Sequence, residues 1–204
     1  MTDTPDFHFL YRQGDSTLRP LLLLHGTGGN EHDLPQLASL VAPGRTLLSL
    51  RGRVVENGMP RFFRRFAEGV LDEDDIRLRA AELKSFVESK QQEHKLAPFV
   101  ALGFSNGANM AAALLSLYPG FLAGAVLLRA MAPFKSMPEA DLGGTPVLLA
   151  SGSEDVMIPK QDAARLATWL TASNTPLTHE TWPAGHGLVQ QDISAMKNFF
   201  SEKV

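Results

Sequence analysis

Residues 99–117 read FVALGFSNGANMAAALLSL. The apolar run Phe99-Val100-Ala101-Leu102 leads into Gly103-Phe104-Ser105-Asn106-Gly107. An Ala- and Leu-rich stretch, Ala108–Leu117, leads out and stops at Pro119-Gly120. A short apolar run suits a strand covered on both faces, and the composition after it suits a helix. The pentapeptide fits G-x-S-x-G, a sharp strand-to-helix turn. Only small residues fit beside the serine there, and the strained backbone lifts its hydroxyl clear of the sheet. The helix that follows brings N-terminal N–H groups near the oxygen on which negative charge develops. Ser105 is the candidate nucleophile; the competing reading is a plain turn serine between glycines.

The same alternation extends outward. Leu21–Leu24, Thr46–Leu50, Phe121–Leu128, Val147–Ala150 and Leu177–Thr181 are short apolar runs bounded by Gly, Pro or charged residues. Helical periodicity lies between them. Leu34, Leu37, Ala38 and Val41 form one stripe, with Asn30 as the expected N-cap. Ile76, Ala80, Leu83 and Val87 form another, with Asp74 and Asp75 at its N-terminal end. Ala163, Leu166 and Leu170 follow Pro159, and Val189, Ile193, Met196 and Phe200 close the chain. This pattern predicts an α/β fold: one domain over 1–204, a mostly parallel central sheet flanked by helices, and Phe7–Tyr11 as an edge strand.

Composition narrows the function. The 204 residues carry 19 Lys and Arg against 22 Asp and Glu, a net charge of −3, which argues against a dedicated nucleic-acid partner. With 44% hydrophobic and 20% charged residues the chain is ordinary for a globular protein. It has no cysteine, which excludes disulfides, thiolate metal sites and a cysteine nucleophile. The start, MTDTPDFHFLYRQGDS, has neither a basic opening nor an apolar core, so no signal peptide is expected. No apolar run approaches membrane-spanning length, and a cytoplasmic protein is expected.

A serine hydroxyl needs a base. Of six histidines, His186 lies in Pro183-Ala184-Gly185-His186-Gly187, between the last predicted strand and the last helix. That is a loop at the carboxyl edge of the sheet, where α/β enzymes place their sites. His8, His94 and His179 read as structural or exposed. The base needs a carboxylate to orient it. Asp155 follows the strand Val147–Ala150 and precedes Ile158-Pro159, and it is favoured over its neighbour Glu154. A tetrahedral intermediate needs two donors. The Asn106 N–H is one candidate. The Thr27 N–H, in the loop His25-Gly26-Thr27-Gly28-Gly29-Asn30, is the other, and His25 is expected to hold that loop's shape. This Gly-rich loop lacks the spacing of a dinucleotide or P-loop site. No cofactor and no metal are expected.

Residues 51–73, RGRVVENGMPRFFRRFAEGVLDE, exceed an ordinary βα connection of about 2–6 residues. A pocket-bordering loop or small cap is expected, with Met59, Phe62 or Phe63 as an apolar wall. Its arginines, Arg51, Arg53, Arg61, Arg64 and Arg65, are expected to pair with Glu68, Asp72, Glu73, Asp74 and Asp75 as surface ion pairs worth little.

Taken together, HGTGGNEHDL at 25–34, GFSNG at 103–107 and AGHG at 184–187 resemble the phospholipase/carboxylesterase family of small α/β-hydrolases, which includes the acyl-protein thioesterases. NGMPRFFRRF at 57–66 looks most similar to a bacterial carboxylesterase branch. The resemblance implies the α/β-hydrolase fold with no large lid domain, a Ser105–Asp155–His186 triad, and an oxyanion hole from Thr27 and Asn106. Asn106 stands where the thioesterases usually have Gln, and Thr27 where they usually have Leu. The expectation is a carboxylesterase for short-chain or small aromatic esters. An acyl thioesterase or lysophospholipase is the alternative, and a ligand-binding protein on this scaffold the non-enzymatic one. The expected partner is a small-molecule ester, without nucleic acid or a membrane span; a homodimer stays open.

Overall fold

Leu21–Leu24 (β2) is an interior strand of a seven-stranded sheet, and all four leucines are fully buried. Each such side chain contributes roughly 1.5–3 kcal/mol relative to exposure. The run is continuous because both faces of the strand are covered. Leu22 and Leu24 join one core cluster, Leu21 and Leu23 the other. A computed structural model describes residues 6–204; residues 1–5, which open the stretch read as lacking a signal peptide, lie outside the described residues.

The sheet is assembled from Phe9–Arg12 (β1), β2, Leu47–Leu50 (β3), Val100–Phe104 (β8), Gly124–Leu128 (β9), Val147–Gly152 (β10) and Leu177–Trp182 (β11). Their order is β1-β3-β2-β8-β9-β10-β11. All neighbours are parallel except β1, which runs antiparallel along β3 at the edge. The missing numbers belong to two small hairpins, β4–β5 (Val54–Glu56 with Met59–Arg61) and β6–β7 (Arg65–Ala67 with Val70–Leu71). The long 51–73 segment is therefore built from hairpins rather than from a helical cap, and the fold has no large lid. Asn57 and Gly58 both take positive φ at the first hairpin's turn, the geometry that suits the twist of a two-residue hairpin.

Helices cover both faces. Glu73–His94 (α2), Asn106–Leu117 (α3) and Lys160–Ala172 (α4) pack on one cluster through residues such as Ile76, Leu83, Leu114 and Leu166. Pro35–Val41 (α1) and Gln190–Glu202 (α5) pack on the other through Ala38, Val41, Met196 and Phe200. Most boundaries fall within one or two residues of the sequence reading, and two differ further. Asn30 is not an N-cap: its side chain accepts from His32 N–H in a local turn, and α1 begins at Pro35 with no side-chain cap. Phe121 lies in a turn closed onto Tyr118 O, and the strand begins only at Gly124. Among the described residues, no helix is long and apolar enough to cross a membrane.

Because β3 and β8 flank β2 on opposite sides, the sheet grows in opposite directions from β2. The crevice beyond the carboxyl ends of β2 and β8 is the switch point where open α/β sheets bind ligands.

Candidate active site

The β8–α3 turn places Ser105 at that switch point, with φ 52° and ψ −114°. For a non-glycine residue this is a strained conformation. Its neighbours explain how it persists. A Cβ on Gly107 would sit 2.1 Å from Leu24 O, and one on Gly103 2.7 Å from the Ala108 backbone. The helix thus docks directly on the end of β2, and the turn has no room to relax.

His186 lies on the loop between β11 and α5. Its Nε2 accepts from Ser105 Oγ at 3.0 Å, and its Nδ1 donates to Asp155 Oδ2 at 2.8 Å. Asp155 is buried, and its other oxygen accepts from Met157 N–H (2.9 Å) and Ile158 N–H (3.2 Å). These bonds hold the carboxylate against the imidazole. Glu154 is exposed, and its N–H donates to Ala184 O. The structure thus brings Ser105, His186 and Asp155 into one hydrogen-bond chain and leaves Glu154 outside it.

Thr27 and Asn106 line the same pocket as Ser105 and His186. Among the described residues, neither backbone N–H donates to a protein acceptor. The Thr27 loop is fixed from the 51–73 segment. Gly28 N–H donates to Pro60 O (2.9 Å), and Arg61 Nη1 donates to Thr27 Oγ1 (2.7 Å). Phe62 N–H donates to Asn106 Oδ1 (2.7 Å), which ties the same segment to the turn after Ser105.

The segment borders the pocket, but with other residues than expected. Arg61, Arg65, Glu68, Gly69 and Leu71 line it, together with Met157 and Ile158. Phe62 and Phe63, 2% and 0% exposed, are drawn into the core, where burying an aromatic ring gains more than a half-open pocket wall offers. Met59 packs near Gly28 instead of facing Ser105. The expected wall of Met59, Phe62 and Phe63 is therefore replaced by a more polar one.

Ion pairing also differs. Arg51 pairs with Glu31, Arg53 with Glu82 and Arg65 with Glu56, and only Arg64 pairs within the expected acidic run, with Asp72 and Asp75. Arg129 was not singled out by the sequence. It is fully buried at the end of β9 and pairs with Asp192 at 2.7 Å. It also donates to Gly185 O (3.2 Å) and Gly187 O (2.9 Å), the carbonyls on either side of His186. Asp192 in turn accepts from Trp182 Nε1 and Val189 N–H. The pair ties the His186 loop to the sheet.

His25 is buried at the end of β2, and Gly52 N–H donates to its Nε2 at 3.0 Å. The ring proton is therefore assigned to Nδ1, which donates to Gly26 O. Burial holds the pKa of His25 below the ordinary histidine value of 6.5. Between that folded value and 6.5 the unfolded chain binds a proton that the folded chain refuses. Stability is thus full above about 6.5 and is lost as pH falls through the folded pKa. Urea unfolding of wild type and His25→Gln from pH 7.5 to 5 tests this: the wild type loses stability more steeply. Equal slopes would refute the assignment. His179, whose pKa burial also lowers, contributes the same sign in both proteins.

The sheet order and the strained serine turn define an α/β-hydrolase. The chain belongs to the phospholipase/carboxylesterase family, whose profile matches residues 11–204. MhqD of Bacillus subtilis (strain 168) is 40% identical over 197 residues, 96% of this chain and 98% of its own. The crystal structure of the Bacillus cereus carboxylesterase matches with a TM-score of 0.93 at 41% identity, covering 96% of this chain and 94% of that one. The structure of YahD with malic acid matches with a TM-score of 0.91 at 28% identity, covering 98% of this chain and 100% of that one.

Proposed function

We propose that this protein is a carboxylesterase that hydrolyses small carboxylic esters through an acyl-enzyme on Ser105. The observation that carries this reading is the continuous hydrogen-bond chain Asp155–His186–Ser105 beside two undonated N–H groups. Ser105 Oγ attacks the ester carbonyl while His186 Nε2 takes its proton. The N–H groups of Thr27 and Asn106 receive the oxyanion. His186 then gives the proton to the leaving alcohol, and a water activated by the same nitrogen releases the acid. Asp155 keeps the imidazole in the working tautomer and stabilises its protonated form.

The pocket supports a small ester over a long acyl chain. Its volume is about 50 Å³, the room of one or two waters, so much of any ester lies across the mouth. Arg61, Arg65 and Glu68 interrupt the apolar lining of Leu71, Met131, Met157 and Ile158, so the pocket is not the continuous apolar channel a long chain would need. Malic acid, named with the YahD structure, is likewise small and polar.

The test is turnover of p-nitrophenyl esters from acetate to palmitate beside a palmitoyl thioester. The kcat/KM is expected to peak at acetate or butyrate, and a peak at palmitate or on the thioester would favour the thioesterase or lysophospholipase reading. In the same assay Asp155→Asn loses at least ~100-fold in kcat, while Glu154→Gln stays within about twofold; the reverse ranking would reassign the acid.

A further inference from the structure

We propose that Arg61 and Arg65 form a carboxylate-binding subsite beside Ser105, so that the preferred ester carries a second, ionised carboxyl group. The inference rests on the ester-hydrolase reading and names the substrate class of that site.

Four of the segment's five arginines have a carboxylate within 3.1 Å, whereas the nearest to Arg61 is Glu56, at 3.7 Å. Glu56 is already engaged at 3.0 Å by Arg65 Nε. Two guanidinium groups thus share one carboxylate at the edge of the nucleophile's pocket. Arg61 is also the buried one, with its side chain 4% exposed, so its charge is poorly screened by water. Burial and the neighbouring Arg65 both push its pKa down, the signature of a cation short of compensating charge. Glu68, on the same pocket, is exposed and has no ion-pair partner among the described residues. It sits in water at the rim and offsets the buried charge weakly.

The unused hydrogen-bond donors of the wall point the same way. Arg61 uses Nη1 on Thr27 Oγ1 and Nε on Phe63 O. Its Nη2, and both Nη atoms of Arg65, donate to no acceptor among the described residues. Asn106 lines the same pocket, and its Nδ2 is buried without a partner. The orientation of that amide is fixed, because Phe62 N–H requires Oδ1 as acceptor. The wall therefore has surplus donors and surplus positive charge. A carboxylate, acceptor-only with about four lone-pair sites, complements both. A neutral acyl chain complements neither.

The experiment compares monomethyl glutarate with methyl pentanoate, an uncharged ester of similar length, by methanol release. The wild type is expected to favour the anionic ester at least tenfold in kcat/KM. In Arg65→Gln this ratio falls at least fivefold, mainly through KM; in Arg61→Gln the ratio falls as far, while turnover of both esters drops together because the Thr27 loop loses its tie. Arg64→Gln, an exposed arginine of the same segment that does not line the pocket, keeps the wild-type ratio. Arg65→Glu moves the preference toward methyl 5-aminopentanoate. No anionic preference in the wild type, or a ratio unchanged in both Arg61 and Arg65 variants, overturns the subsite while leaving the esterase reading intact. If no ester is turned over, calorimetric titration with glutarate decides separately. Binding that weakens at least fivefold in Arg61→Gln supports the subsite; no binding by the wild type, or equal binding by both, overturns it.

Discussion

Ser105→Ala should yield a folded protein whose ester turnover is lower by at least ~10³-fold, a barrier increase of about 4 kcal/mol. Folding survives because, among the described residues, the Ser105 side chain makes a single hydrogen bond, to His186, while the turn is held by Gly103, Gly107 and the docking of α3. What remains after the nucleophile is removed comes from the oxyanion donors and from substrate positioning. A fluorophosphonate should label wild-type Ser105 and leave the variant unmodified. Near-wild-type turnover by a folded variant, or a label mapped to another serine, would end the Ser105 mechanism.

Asp192→Ala should destabilise the fold by about 3–5 kcal/mol, because it leaves the Arg129 guanidinium buried and without its counter-ion. Both side chains of this pair are 0% exposed, so water cannot take over the lost interaction. For a chain of this size the loss lowers Tm by roughly 6–20 °C. Val189 N–H and Trp182 Nε1–H lose their acceptor as well, which loosens the entry to α5. Asp192→Asn keeps an acceptor and removes the charge, so it is the variant to assay for turnover. Its kcat should fall at least tenfold with little change in KM, since Arg129 no longer anchors the carbonyls that flank His186. A Tm within 2 °C of wild type for Asp192→Ala would show that the pair has little weight in stability.

The hydrogen-bonded core of the site was legible from residues because local backbone geometry encodes it. Gly103 and Gly107 are required where no Cβ fits, and that need is written into the pentapeptide. Asp155 and His186 sit at strand ends whose positions follow from apolar runs, and sheet order then brings them together. The pocket wall was not legible for the opposite reason. Phe62, Phe63 and Met59 are apolar whether they face core or substrate, and Phe62 and Phe63 lie just past β5, where no strand alternation sorts them. Asn57-Gly58 between Val54-Val55-Glu56 and Met59-Pro60-Arg61 was an available hairpin signal. It would have set Met59, Pro60 and Arg61 in a strand rather than in an irregular loop. Arg129 carried no signal at all, because its partners are remote in sequence: Gly185, Gly187 and Asp192.

The 51–73 segment has a fixed root and a free tip. Its root is fastened through Gly52 to His25, Pro60 to Gly28, Arg61 to Thr27 and Phe62 to Asn106. Among the described residues, the second hairpin, residues 65–71, makes no bond of that kind to the Thr27 or Ser105 loops. In a lineage under selection for a new ester, the two parts therefore evolve at different rates. Changes at the root disturb the oxyanion donors and are purged whatever the substrate. Changes at the tip alter only what borders the mouth, so laboratory diversification at 65, 68 and 71 should generate new selectivities from clones that still turn over, whereas a library at 60–62 should return mostly inactive ones.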